Sequence, residues 1–180
     1  MANAFPNGSI LDANFAFQAE ASMGLESLLD PRLMIPELKA DNKIAAIKEL
    51  IDRLYLKGVV KDSLSFLQAV LGRENIESTV IGEVAMPHAR SLAVNQLGLA
   101  LGVSRLPIDY PSGDDRQVIQ IICLIAVPAH APDSYLALLG ALARTFRDGD
   151  LMSSLLQAKA PEELCDLLAR HSRHSIYREG

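Results

Sequence analysis

The stretch Val-Ile-Gln-Ile-Ile-Cys-Leu-Ile-Ala-Val, residues 118–127, decides the fold that this sequence predicts. The run is almost continuously aliphatic, whereas a strand with one face in water would alternate apolar with polar residues. It is therefore typical of a central strand that is buried on both faces. Pro128 follows, and because proline has no amide hydrogen to give to a sheet, the strand is expected to stop there.

Two helices are predicted before this strand. Asp41 is a plausible N-cap for a helix over residues 42–57, where apolar residues recur at helical spacing and Gly58 follows as a terminator. Asp62 is expected to cap a second helix that ends at Gly72. Each helix has one apolar face with which to cover a sheet.

Further elements are predicted on either side of the central strand. Residues 97–103 alternate large with tiny side chains, which favours a strand closely approached by other backbone, and residues 104–116 are expected to form a loop. Asp133 is expected to cap a third helix that Gly149 ends, and Pro161 to open the last helix. The pattern predicts an α/β fold, a sandwich of two or three layers in which a small mixed β-sheet is flanked by helices.

The composition indicates an ordinary globular protein of one domain. The chain has 180 residues, of which 49% are hydrophobic and 22% charged. Its net charge of −5 argues against a general nucleic-acid binder, which would normally show a basic face. No apolar run is long enough to span a bilayer, so no direct membrane insertion is expected.

Two further features lead us to expect a cytoplasmic location. Cys123 lies in the apolar run and Cys165 in a helical pattern, which is typical of buried, reduced thiols rather than of a disulfide or a metal pair. The N-terminal residues also lack the basic segment and apolar core of a secretory signal.

The candidate for chemistry is His88, which lies within residues 78–90. Pro87 precedes it, so the histidine is expected in a loop at the end of a strand, with a polar loop running on to Gln96. An imidazole there, with Arg90 two positions on, can accept or hold a phosphate group. A lone histidine beside a proline is also commonly an ordinary surface residue, and the local pattern leaves both interpretations open.

Residues 73–79 (RENIEST), 81–82 (IG) and 85–90 (AMPHAR) resemble the active-site region of the enzyme IIA domains of the bacterial phosphoenolpyruvate:sugar phosphotransferase system. The resemblance is closest to the fructose and mannitol type, which includes the nitrogen-regulatory proteins. The implied fold is the sandwich of that type, a small mixed sheet flanked by helices, and it agrees with the elements predicted above.

The resemblance also implies how the chain is divided. It places the enzyme IIA-like domain at residues 25–171. From their own composition, residues 1–24 are expected to form a partly ordered N-terminal extension, and residues 172–180 a polar tail.

For function, the resemblance implies that His88 takes a phosphoryl group from a small phosphocarrier protein and passes it to a cysteine of a IIB partner. Arg73 matches the family's active-site arginine and would bind the phosphate. Ser78 and Thr79 would add hydroxyl donors, or would equally serve to stabilise the turn. Arg90 would contact the phosphate or the partner, or would be solvated. No metal or bound cofactor is implied.

Two departures from the family bear on turnover. The family usually carries a second histidine, before a leucine, at the start of the helix after the central strand, and the matching residue here is Tyr135. A tyrosine hydroxyl can donate to a phosphate oxygen, but it cannot carry a positive charge. The turn at residues 82–84 is also one residue shorter than usual. His130, in the loop before Tyr135, is either an accessory group or an ordinary exposed residue.

These departures leave an alternative function open, a non-catalytic regulatory binding module that keeps the enzyme IIA fold and docks to partner proteins. A metal site built on His88 and His130 is disfavoured, because no cysteine or acidic residue stands at a spacing that would complete the ligand set.

Overall fold

The computed structural model of the chain describes residues 24–177, so almost all of the extension predicted at residues 1–24 lies outside the described residues. The strands are β1 (Met34–Ile35), β2 (Val80–Ile81), β3 (Val84–Ala85), β4 (His88–Ser91), β5 (Gly98–Asp109) and β6 (Val118–Pro128). The α-helices are α1 (Lys43–Leu56), α2 (Ser63–Glu74), α3 (Tyr135–Thr145), α4 (Gly149–Gln157) and α5 (Pro161–Tyr177), and residues 24–28 are also helical. Within residues 24–177, no helix is both long and apolar enough to cross a bilayer.

The sheet is mixed and is organised around β6. This strand pairs antiparallel with β5 along one edge and parallel with β3 and then β4 along the other. β1 pairs parallel with β5, and β2 pairs antiparallel with β3. The central strand predicted over residues 118–127 is confirmed, and β6 ends at Pro128 as expected.

Helices cover both faces of the sheet, as a doubly buried strand requires. Ile122 and Leu124 of β6 pack in a core with α1 and α2. Ile121 and Cys123 face the other way, into a core formed with α3, α4 and α5. All of these side chains are fully buried, and burial of one large aliphatic side chain contributes about 1.5–3 kcal/mol. The predicted α/β sandwich with a small mixed sheet is therefore confirmed, and it has three layers.

Helices α1 and α2 differ slightly from the prediction in the residues at which they begin and end. Asn42, not Asp41, caps α1, and its side chain accepts a hydrogen bond from the backbone amide three residues on at 3.0 Å. Asp62 caps α2 as predicted. The prediction that Gly72 ends α2 was wrong, because this glycine does not adopt the positive φ of a helix terminator, and the helix continues to Glu74.

The loop predicted at residues 104–116 starts later than expected, because its first six residues, 104–109, belong to a strand. β5 continues to Asp109 and keeps its pairing with β6 by shifting register between Val103 and Ile108. Pro107 lies within that irregular stretch, where its missing amide hydrogen removes no regular ladder bond. Tertiary pairing with the central strand therefore overrides the local loop signal.

The glycines of β5 are approached closely, but by side chains rather than by the backbone that the sequence suggested. A Cβ on Gly98 would lie 2.5 Å from a methyl carbon of Val59, and one on Gly102 would lie 2.7 Å from a methyl carbon of Leu38. Both distances are too short for a real side chain, so these positions need glycine for space.

The prediction that Asp133 caps the third helix was wrong. Ser134 is the N-cap residue of α3, and the Asp133 carboxylate is used in an ion pair. The prediction that Gly149 ends this helix was also wrong: α3 ends at Thr145, and Gly149 is the first residue of α4. Asp148 accepts hydrogen bonds from the first backbone amides of α4.

The last helix is longer than the sequence indicated. It begins at Pro161 as predicted, and it continues to Tyr177 into the predicted polar tail at residues 172–180. Ser172 is buried within it and donates a hydrogen bond to the Ala169 carbonyl at 3.0 Å.

Candidate active site

His88 is the first residue of a strand, and the prediction that it lies in a loop was wrong. β3 and β4 follow each other along the same edge of β6, with Met86 and Pro87 between them. Pro87 lacks an amide hydrogen, but its carbonyl still accepts a hydrogen bond from the Ile125 amide at 3.0 Å. The proline therefore interrupts the edge without detaching it, and His88 is held, half-buried, opposite Ile125.

One hydrogen bond sets the protonation pattern of the His88 ring. Its Nδ1 lies 2.9 Å from the Met86 carbonyl oxygen. A carbonyl can only accept, so Nδ1 must carry the hydrogen. In the neutral imidazole, Nε2 then carries the free electron pair. The geometry thus prepares Nε2 to act as a nucleophile or an acceptor.

Arg90 shares the face of β4 that carries His88. The two residues pair with Val127 and Ile125, whose side chains face the layer that contains α3. The Arg90 guanidinium forms an ion pair with Asp133 and lies 4.7 Å from the centre of the Tyr135 ring. Contact with Tyr135, and after it the Asp133 carboxylate, raises the pKa of Arg90 above its ordinary value, so its positive charge is permanent.

Tyr135 lies where the sequence placed it, as the first residue of the helix after the central strand. Its side chain is half-buried. Because it contacts Arg90, the structure brings two of the predicted site residues together on the His88 face of the sheet. His130 lies in the exposed turn between β6 and α3.

Arg73 lies in the last turn of α2, in the helical layer on the other side of the sheet from α3. Its Nη1 donates a hydrogen bond to the Glu77 carbonyl at 3.2 Å. A guanidinium has five N–H groups, so this single contact is compatible with binding a phosphate as well. None of the hydrogen bonds of residues 24–177 that we describe joins Arg73 directly to His88.

The hydroxyls of Ser78 and Thr79 both make contacts within the turn that leads to β2. Ser78 donates to the Gln117 side-chain carbonyl oxygen at 2.7 Å and accepts from the Val80 amide at 3.2 Å. Thr79 donates to a carboxylate oxygen of Glu74. Of the two roles that the sequence allowed these residues, stabilising the turn is the one that the observed contacts fill.

Glu74 is a residue that reasoning from the sequence missed. Its side chain is fully buried, and the second carboxylate oxygen lies 3.2 Å from Lys43 Nζ. The Lys43 ammonium lies 4.4 Å from the centre of the buried Tyr110 ring. Burial, and then the nearby Glu74 charge, raise the pKa of the Tyr110 hydroxyl. A signal was available, because an acidic residue in the last turn of a helix opposes the helix dipole and so needs a partner.

The shortened turn before the site closes as a tight hairpin. β2 and β3 pair Ile81 with Val84, so only Gly82 and Glu83 lie between them. Gly82 has a φ of 60°, and among the described residues only glycines have a positive φ. A glycine with positive φ at the first of two loop positions is the pattern of a type II′ turn, which suits paired strands. The turn is therefore compatible with β2–β3 pairing although it is one residue shorter than is usual in the family.

The cysteines are not arranged for nucleophilic chemistry. Burial raises the pKa of the Cys123 thiol, and burial with nearby carboxylates raises that of Cys165 to about 11. Both are therefore thiols at neutral pH. Within residues 24–177, His, Cys, Asp and Glu side chains form no group of three or more that could hold a metal ion.

Comparison with known proteins agrees with this fold. The family model described as phosphoenolpyruvate-dependent sugar phosphotransferase system, EIIA 2, matches residues 27–171. The fructose-specific EIIA component of Haloferax volcanii is 33% identical over 128 residues, which are 71% of this chain and 82% of the relative. The nitrogen regulatory protein of Bradyrhizobium diazoefficiens is 29% identical over 150 residues, which are 82% of this chain and 95% of the relative.

Some relatives are much longer. The fructose-specific EIIABC component of Bacillus subtilis is 28% identical over 152 residues, which are 84% of this chain but 24% of the relative. The 2-O-alpha-mannosyl-D-glycerate-specific EIIABC component of Escherichia coli is covered to 23%. The chain thus spans about a quarter of the length of these two proteins.

Solved structures share the fold. Nitrogen regulatory protein IIA-Ntr from Neisseria meningitidis superposes with a TM-score of 0.71 at 23% identity, covering 80% of this chain and 98% of that one. Enzyme IIA mannitol, in its complex with phosphorylated enzyme IIB mannitol from Escherichia coli, gives a TM-score of 0.66 at 20% identity, covering 79% and 97%. Since the family model spans most of the described residues, the chain belongs to the EIIA 2 family of the phosphoenolpyruvate-dependent sugar phosphotransferase system.

Proposed function

We propose that this chain is a phosphocarrier domain that accepts a phosphoryl group on Nε2 of His88. The observation that carries the proposal is the hydrogen bond from Nδ1 to the Met86 carbonyl, because it leaves the electron pair on Nε2. A ring fixed in this tautomer needs no proton transfer before it attacks. We assign the activity to residues 25–171 and to the cytoplasm.

The transfer itself is a displacement at phosphorus. Nε2 of His88 forms a bond to phosphorus while the bond from phosphorus to the donor atom breaks, and the donor keeps that electron pair. Most of the catalysis in such a step comes from alignment and from positive charge near the phosphoryl oxygens. Arg90 is on the His88 face and Tyr135 contacts Arg90, so both are proposed to bind the phosphoryl group. Arg73 is proposed to bind it too, because this residue matches the family's active-site arginine.

The donor is proposed to be a small phosphocarrier protein, and the acceptor a IIB protein or a regulated target. In the second step a cysteine thiolate of the IIB partner forms a bond to phosphorus while the bond to Nε2 breaks, and the electron pair returns to the ring. The likeness to enzyme IIA mannitol, which was solved with a phosphorylated IIB protein, supports a partner of this kind. The similarity to a nitrogen regulatory protein supports the regulatory variant of the same chemistry.

The test is to weigh the intact protein after incubation with phosphoenolpyruvate, the first enzyme of the system and its phosphocarrier. We expect one acid-labile phosphoryl group, which is absent from His88→Ala. His130→Ala is the matched control, since it removes a histidine from the neighbouring turn, and it should still be labelled. If the unmodified protein takes up no phosphoryl group from a cognate phosphocarrier, the proposed function is wrong.

The second candidate is a non-catalytic module that docks to partner proteins. By the resemblance, Tyr135 matches the family's second histidine. One observation then favours the alternative: the Tyr135 ring contacts Arg90, which is already paired with Asp133. Under this alternative, the unmodified chain takes up no phosphoryl group, while Tyr135→His gains the ability to do so. Labelling of the unmodified protein at the same rate as Tyr135→His would exclude it.

A further inference from the structure

A continuous series of contacts runs from a buried ion pair to the His88 ring. The Glu74 carboxylate accepts a hydrogen bond from the Thr79 hydroxyl. The Thr79 carbonyl accepts one from the Met86 amide at 3.0 Å. The Met86 carbonyl then accepts the one from His88 Nδ1 at 2.9 Å. Each side of the Met86 residue is therefore held by a contact of its own, and the second contact is to the proposed acceptor.

The far end of this series is fixed. The Glu74 side chain is fully buried, and that of Lys43, its partner at 3.2 Å, is only 12% exposed. Lys43 Nζ also donates to the Pro111 carbonyl at 2.9 Å. Charges that are largely withdrawn from water interact strongly, so we take this pair as the anchor of the Thr79 hydroxyl.

The near end of the series depends on that anchor. Met86 lies between the paired residues of β3 and β4, and neither it nor Pro87 belongs to a regular strand pair. The orientation of the Met86 carbonyl therefore depends on contacts outside the ladder. One of these is the hydrogen bond from the Met86 amide to the Thr79 carbonyl. A turn of this peptide would move the acceptor away from Nδ1 and would remove the preference for the Nδ1–H tautomer.

We propose that Glu74, acting through Thr79 and Met86, is a positioning residue that fixes the orientation and tautomer of the His88 ring, an inference that rests on the phosphoryl acceptance proposed above. Glu74 does not touch the phosphoryl group. It holds the Thr79 turn, the Thr79 carbonyl holds the Met86 amide, and the Met86 carbonyl holds Nδ1–H. The Thr79 hydroxyl is thus assigned to the acceptor rather than to the phosphate.

The experiment compares full-length variants that remove one buried threonine hydroxyl each. Thr79→Val breaks the series at its middle, whereas Thr79→Ser keeps the hydroxyl and should restore it. Thr145→Val is the matched control, because Thr145 is as deeply buried and its hydroxyl bonds to the Ala141 carbonyl of its own helix, which is not a member of the series. If Thr79→Val does not fold, Glu74→Gln serves instead, since it is close in shape and removes the charge that pairs with Lys43 and anchors the Thr79 hydroxyl.

Two measurements are made on each variant. The first is the ¹⁵N NMR spectrum of the His88 ring, identified by its loss in His88→Ala, which reports which nitrogen carries the hydrogen. The second is the initial rate of phosphoryl uptake from the phosphocarrier. We expect Thr79→Val to lose the excess of the Nδ1–H form and to slow uptake by about tenfold or more, with Thr79→Ser and Thr145→Val close to the unmodified protein. Glu74→Gln should change both quantities in the same direction.

An unchanged tautomer ratio in Thr79→Val, or in Glu74→Gln where that variant replaces it, overturns the proposal. So does an equal change in Thr145→Val, since the effect would then be general. The failure of the proposed function is a separate result: if the unmodified protein takes up no phosphoryl group, the NMR measurement still decides whether Glu74 and Thr79 set the ring. A tautomer shift restricted to the residues of the series supports positioning in that case.

Discussion

Two clusters of the same composition lie on opposite sides of the sheet, and they differ in their contact with water. The buried triad consists of Lys43, Glu74 and Tyr110, and the surface triad of Arg90, Asp133 and Tyr135. Each contains a cation, a carboxylate and a tyrosine ring under the cation, at 4.4 Å in the first and 4.7 Å in the second. The carboxylate side chain is fully buried in the buried triad and 82% exposed in the surface triad.

This difference teaches which cluster can take part in a transfer reaction. A buried ion pair cannot exchange partners without leaving an unpaired charge in a medium of low dielectric constant. An exposed pair contributes little to stability and can exchange its carboxylate for another anion. The surface triad can therefore release Arg90 to the phosphoryl group that we propose for His88, while the buried triad is suited to the positioning role proposed for Glu74.

The largest effect is expected when the two carboxylates are deleted in turn. Glu74→Ala should lower the free energy of unfolding by about 3–5 kcal/mol, because it leaves Lys43 and the Thr79 hydroxyl without their buried partner. Asp133→Ala is the matched deletion from the surface triad and should lower it far less. Equilibrium unfolding in urea measures both. Similar losses in the two variants would contradict the distinction between an anchor and an exchangeable pair.

Next in size is the effect of Arg90→Ala on the rate of phosphoryl uptake. Removing one charged donor from the site should slow uptake by about 100-fold, as is typical when a donor to a developing charge is lost. Arg90→Lys keeps the charge but not the planar fork, and its rate should fall between the other two. Rapid-quench measurement of labelled protein gives all three rates. If Arg90→Ala takes up phosphoryl at the unmodified rate, Arg90 belongs to a surface contact and not to the site.

Much of this arrangement was readable in the sequence because local signals and the fold agree there. The aliphatic run at residues 118–127 could only be buried on both faces, and it became the centre of the sheet. The cap at Asp62 was predicted for the same reason, since its side chain has a local backbone amide to bind. The position of Tyr135 at the start of α3 followed from the family pattern.

The rest depends on contacts between residues that are far apart in sequence. Pro87 signals the end of a strand, yet pairing of the next four residues with β6 makes β4. Asp133 is of a residue type preferred at helix N-caps, but it pairs with Arg90, which lies 43 residues earlier. Glu74 reads as a surface charge until α1 brings Lys43 to it. In each case a long-range partner replaced the local one, and the pattern of a single sequence does not contain that partner.

The smallest effect expected is on the pH dependence of stability, through the tyrosine of the buried triad. Burial and the Glu74 charge raise the pKa of Tyr110 in the folded protein, whereas an unfolded tyrosine ionises near about 10. Between these two values the unfolded chain has lost the proton that the folded chain keeps, so stability is complete below about pH 10 and falls as the pH rises above it.

Tyr110→Phe has nothing to ionise and should flatten this fall. At neutral pH it should change the free energy of unfolding by about 1 kcal/mol or less, because the Tyr110 hydroxyl lies near Glu74 and Thr79 without a well-formed hydrogen bond to either. Urea unfolding from pH 7 to pH 11 measures the effect, with Tyr135→Phe as the counterpart from the surface triad. Equal flattening in both variants would show that the two tyrosines do not differ as their burial predicts.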